Sequence, residues 1–178
     1  MSSFPLVGEP LALDLINAGD RLGDPAGLAA WLAEQGGRLE AVEVGEAEAG
    51  AVRGVQEAAG PLLEAARRGE RPPREALRAL NGALAAAPSH RELAWTAEAG
   101  LTAAPHRTAG PARRLAAQLA EAVAELLTDP RVTEVRRCEG EGCVLLFLPA
   151  HPRRRWCVAS VCGNRARVAR YYARHKEA

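Results

Sequence analysis

All four cysteines of the 178-residue chain, Cys138, Cys143, Cys157 and Cys162, fall within one 25-residue stretch. They form two pairs with the pattern C-x4-C-x13-C-x4-C. A structural zinc takes four thiolate or imidazole ligands in a tetrahedron, and two ligand pairs joined by a loop of a dozen or more residues meet that need. The first pair brackets "EGEG", where Gly140 and Gly142 let the backbone fold back around a metal. A redox dithiol favours the shorter C-x-x-C spacing. Four thiols also complete the shell, whereas a catalytic zinc keeps a position open, so one structural Zn2+ is expected. His151 and His175 are then surface or nucleic-acid-facing residues rather than ligands.

Arginines surround the second pair. Arg153, Arg154 and Arg155 precede Cys157, and "GNRARVARYYARHK" after Cys162 reads as a helix. On that helix Arg167, Arg170 and Arg174 stand at i, i+3 and i+7, one face. Val161, Val168, Tyr172 and His175 lie broadly opposite and are expected to pack on a hairpin, with Trp156 the largest core piece. Arg165 has two rival roles, contacting phosphate or pinning the cysteine knuckle. The candidate nucleic-acid contacts are Arg153, Arg154, Arg155, Arg165, Arg167, Arg170, Arg174 and Lys176. A merely solvated charged face is the alternative for the whole set.

Net charge of +1 conceals an asymmetry. Residues 1–130 carry 12 basic and 18 acidic side chains, whereas residues 131–178 carry 11 and 4. A basic module on an acidic body points to a polyanion partner, DNA first, unless the two halves neutralise each other. The composition also changes at Asp129-Pro130, which places a boundary between domains 1–130 and 131–178. A 48-residue module with few large apolar side chains needs a metal to fold.

The elements that must position these residues follow from pattern. "LALDLINA" (11–18) is a short helix or a buried strand. Asp24 as N-cap and Pro25 at N1 start a helix that Gly36-Gly37 ends. Val52, Val55, Ala59, Leu62 and Leu63 mark another, which Pro61 threatens to split. A third turns Ala76, Leu77, Leu80 and Leu84 inward. Alternation around Leu93, Trp95 and Leu101 suggests a β-hairpin. Leu115, Leu119, Val123 and Leu126 then line one stripe of a further helix. "VLLFL" after Cys143 reads as a strand that hairpins back on the segment before Cys138. The fold class is α+β, predominantly α: a helical N-terminal domain with a small β-hairpin, then a treble-clef-like finger of hairpin plus helix.

"CGNR" at 162–165, preceded by "RRWC" at 154–157 and the C-x4-C knuckle, resembles the CGNR zinc-finger family. "LALDLINA" followed by "DPAGLAAWL" resembles the opening of the ABATE domain, whose proteins are described as stress-induced transcription regulators. The resemblance assigns the metal to the four cysteines and implies DNA binding by the finger. This chain departs from the family in having Val158 where Ser is common after the third cysteine, and Ala18 where Thr often stands.

These features point to a DNA-binding transcriptional regulator whose N-terminal domain senses a small-molecule effector or forms a homodimer. The alternative is a protein–protein adaptor with a structural zinc and no nucleic-acid binding. No Ser-His-Asp set, glycine-rich phosphate loop or HExxH motif is present, so no enzyme is expected. Asp14 and Asn17 are expected to be hydrogen-bonded structural groups. No targeting segment or ~18-residue apolar span is evident, which places the protein in the cytoplasm and away from membranes.

Overall fold

The computed structural model describes Phe4 and residues 8–175; Lys176 lies outside the described residues. "LALDLINA" is helix α1, Leu11–Ala18, and six of its eight residues are buried. An all-round buried helix has no polar face, which is why periodicity alone left it ambiguous with a strand. A 3-10 turn leads to α2, Pro25–Glu34, where the Asp24 carboxylate accepts from the Gly27 N–H at 2.8 Å.

Helix α3, Glu46–Arg68, runs unbroken through Pro61. The proline sits on the exposed side, where the carbonyl one turn earlier that loses its N–H donor is open to solvent rather than sealed in the core. Helix α4, Arg74–Ala86, buries Leu80 but leaves Leu77 exposed, against expectation. It is an outer helix resting on α3 and α5, and its contact stripe is too narrow to take Leu77.

Strands β1 (His90–Thr96) and β2 (Gly100–His106) form the expected antiparallel hairpin, with Trp95 opposite Leu101. Gly100, at φ +69°, closes the tight turn. Helix α5, Pro111–Thr128, buries Leu115, Leu119, Val123 and Leu126 against α3. Together with Leu13, Leu15, Leu28, Trp31 and Leu63 these residues make the main core. Each fully buried Leu there contributes about 1.5–3 kcal/mol.

After a second 3-10 turn, β3 (Arg136–Arg137) pairs antiparallel with β4 (Leu146–Phe147). A π turn at Ala159–Gly163 then opens into α6, Asn164–His175. The main core reaches across this junction and takes in Val132, Val135 and Leu148. A second, smaller cluster holds Cys138, Leu145, Phe147, Cys157 and Cys162.

Two packing expectations fail here. Val161, Val168 and Tyr172 are exposed rather than packed on the hairpin, and His175 stacks on Tyr171 at 4.1 Å. The β3–β4 ladder is only two residue pairs long and its β4 strand contacts α1, so it offers α6 no surface. Phe147, not the half-buried Trp156, is the largest fully buried side chain of the small cluster.

Candidate metal centre and basic helix

The four cysteine sulfurs all lie within 4.8 Å of one another. Cys143 and Cys157 Sγ are 3.8 Å apart, and Cys157 and Cys162 Sγ 3.6 Å. A tetrahedron with metal–sulfur bonds of about 2.3 Å has edges of about 3.8 Å, so the separations suit a single ion. Each knuckle is folded by its own backbone. The Cys138 N–H donates to Leu145 O (2.9 Å) and the Cys143 N–H to Gly140 O (3.0 Å). In the second knuckle, Val158 O accepts from the N–H groups of Val161, Cys162 and Gly163. That carbonyl organises the turn without a side-chain cap at 158.

Hydrogen bonds to sulfur complete the arrangement. Cys138 Sγ accepts from the N–H groups of Cys157 (3.2 Å) and Gly140 (3.4 Å), and Cys162 Sγ accepts from Arg165 Nη2 (3.0 Å). Burial, reinforced by the neighbouring thiols, pushes the Cys157 thiol well above its ordinary range. Burial likewise raises Cys143. At Cys138 burial acts upward too, but the two N–H donors prevail and hold it low. Four sulfurs this close cannot all ionise without a cation between them, and a dication removes that repulsion. The donor set therefore fits a metal ion.

Two glycines are required here for space. A Cβ on Gly140 would stand 3.0 Å from Cys162 Cβ and 3.1 Å from its sulfur. A Cβ on Gly163 would stand 2.0 Å from Trp156 Cδ1. The indole thus lies directly on the Gly163 backbone, with the Arg155 guanidinium 4.6 Å from its centroid on its ring face.

The arginines divide into two groups. Arg154 turns inward: it donates to Trp156 O (3.2 Å), Cys157 O (2.7 Å) and Glu9 Oε1 (2.6 Å), and lies 4.4 Å from the centroid of Phe147. Arg155 pairs with Glu139 (2.6 Å), bridging the two knuckles. Arg165 pins the second knuckle, one of its two expected roles, by donating to the Cys162 sulfur. Arg153, Arg167, Arg170 and Arg174 form no ion pair among the described residues, and the last three project from α6 with the exposed Tyr171 on the same face. Among the described helices and strands, α6 packs chiefly on the π turn that precedes it, and its first turns face the loop residues Glu139, Arg155 and Trp156.

Helix α1 grips the knuckles from the other side. Asn17 Nδ2 donates to Leu146 O and its Oδ1 accepts from the Leu146 N–H, both at 2.8 Å. The buried Glu9 accepts from the Leu148 N–H (3.0 Å) and from Arg154. Asp14 is structural as expected: its carboxylate accepts from the N–H groups of Gly8 and Glu9 and from Arg38 Nη1 at 2.6 Å. Sequence reasoning missed Glu9 altogether, and it placed no partner on Asn17. Their contacts lie 139 and 129 residues away, beyond any local signal.

A helical domain bonded to a four-cysteine knuckle pair, with a basic helix leaving the second knuckle, defines a helical-domain zinc-finger protein. A family model named ABATE and described as "putative stress-induced transcription regulator" matches residues 9–130, and one for the CGNR zinc finger matches residues 134–175. The chain belongs to the ABATE family and carries a C-terminal CGNR zinc finger. No curated protein matches it.

Proposed function

We propose that the chain is a DNA-binding transcriptional regulator in which one Zn2+, held by Cys138, Cys143, Cys157 and Cys162, fixes the base of α6. The metal supplies cross-linking of the two knuckles and no chemistry. The observation carrying this reading is the face of α6: Arg167, Arg170 and Arg174, without carboxylate partners among the described residues, flank an exposed Tyr171. Arginine forks suit phosphate oxygens, and a few side chains can reach base edges. Arg153 and Lys176 extend the same basic surface, whereas Arg154, Arg155 and Arg165 shape the knuckles that carry it.

Titration of DNA into zinc-loaded protein at several salt concentrations tests this. Each lost phosphate contact lowers the slope of log K against log salt by about 0.9, so changing Arg167, Arg170 and Arg174 to Gln should remove about 2.7 from the slope, and changing them to Glu should abolish binding. Equal binding by wild type and variant rejects the proposal. A protein adaptor is favoured by one observation, the exposed Val168 and Tyr172 on the other side of α6, and it predicts no salt-dependent DNA binding.

A cavity of about 790 Å3 between α5, the loop after α2 and the base of β2 is the proposed effector site. Its wall carries the Arg107–Glu121 and Arg114–Glu40 pairs, so a polar small molecule suits it. We assign the protein a binding role rather than a catalytic one, because four thiolates saturate the metal and Asp14 is sealed by its donors. Among the described residues, no helix is long and apolar enough to cross a membrane; a cytoplasmic location is part of the proposal.

A further inference from the structure

The hairpin of β1 and β2 has no core of its own. Every residue of the two strands is exposed except the half-buried Gly100, and neither strand packs on another element to any extent. A lone two-stranded hairpin is marginal in water. Alternation puts Leu93, Trp95, Leu101 and Ala103 on one face, and His90, Glu92, Thr102 and His106 on the other. The ribbon is therefore amphipathic, like a strand pair built to cover something, yet its apolar face is bare. Leu93 is 66%, Trp95 71% and Leu101 69% exposed.

We infer that this face is the homodimer interface, closed by the same face of a second copy turned base to tip about a two-fold axis. Charge selects this occupant. Arg91 stands at the base on the apolar face and Glu98 in the turn at the tip. When two copies are stacked antiparallel, the row of Trp95 and Leu101 meets the partner's row of Leu93 and Ala103. Arg91 of each copy then faces Glu98 of the other, twice by symmetry. A nucleic acid is a poor occupant, because residues 90–106 carry two glutamates and one arginine.

Area is consistent with the same occupant. Leu93, Trp95 and Leu101 together offer on the order of 400 Å2 per chain, and the flanking Arg91, Ala97, Ala103 and Pro105 bring the total to the low end of stable interfaces, about 1,200 Å2. A dimer that dissociates in the micromolar range is expected. It does not rest on the nucleic-acid proposal, since it is measured without DNA.

Sedimentation velocity across about 1–500 µM is the test, with helix content by circular dichroism and metal content as controls that a bare hairpin should not affect. Wild type should pass from monomer to dimer, and the variant W95E/L101E should stay monomeric at the highest concentration, a loss of at least about 100-fold. Arg91→Glu or Glu98→Arg alone should weaken the dimer about tenfold, and the double variant R91E/E98R should restore it to within about threefold. A wild type that stays monomeric, or a W95E/L101E variant that still dimerises, overturns the inference. A charge swap that fails to restore association overturns the base-to-tip arrangement.

Discussion

Asn17 spends one whole amide on the backbone of Leu146, donating to its carbonyl and accepting from its N–H. A strand neighbour would normally occupy that edge, so the side chain stands in for a short piece of sheet. Asn17→Ala leaves two part-buried backbone groups without partners and should cost about 2–4 kcal/mol, measured as a shift in the urea midpoint. Arg165 donates to the Cys162 sulfur at 3.0 Å and would tune through it a metal held by the four cysteines. Arg165→Ala should weaken zinc binding about 10–100-fold in competition with a chromophoric chelator, and unchanged affinity would exclude the contact. The gathering of the four cysteines was legible from sequence because four donors of one type at paired spacing have few other uses. The contacts of Glu9 and Asn17 were not, since a carboxylate before a buried helix or an amide on it shows nothing of a partner more than a hundred residues away.

At the scale of elements, capping and stripes were legible wherever the determinant was local. Asp24 and Pro25 start α2, and Leu115, Leu119, Val123 and Leu126 line α5. What lies opposite a helix is not local, and so α6 was expected to pack where it stands free. The turn before α6 depends on Gly163, because the Trp156 ring occupies the space of a side chain. Gly163→Ala should push the indole out, lower zinc affinity and red-shift the emission of Trp156. The loop after α2 is tied to α5 by Glu40 and Arg114 at 2.6 Å. Hydrogen bonds from Arg114 hold the Glu40 carboxyl below its ordinary value of 4.5. A lowered folded value means that this clamp is fully present above about pH 4.5 and lost as pH falls through the lowered value. Glu40→Gln should therefore lower stability at pH 7 and flatten the acid limb between about pH 2 and 5, where its difference from the wild type disappears.

Across the whole molecule, the two clusters of buried side chains are joined by hydrogen bonds as well as by Val132, Val135 and Leu148. Removing the metal takes away the cross-link of a cluster in which three of five buried residues are cysteines. The loss should spread through Leu146, Leu148 and Arg154 into α1. Chelation is thus expected to lower the melting temperature of the entire chain in one calorimetric transition, and in Asn17→Ala the transition should split. A helical domain whose melting ignores chelator would show the two parts to be energetically separate. Among the described residues, the charge contrast between residues 1–130 and 131–178 meets in two ion pairs, Glu9 with Arg154 and Asp129 with Arg131. Arg153, Arg167, Arg170 and Arg174 take no part in either pair and stay exposed.

The way α1 holds β4 has a consequence for exchange between relatives. Asn17 and Glu9 address the peptide groups of residues 146 and 148, never their side chains. Any finger with the same backbone course and an arginine at position 154 presents the same docking points, whatever its ligand loops or helix carry. Chimeras that graft a foreign finger after residue 135 should therefore assemble on this helical body, and fingers can be exchanged between relatives without redesigning the socket that holds them.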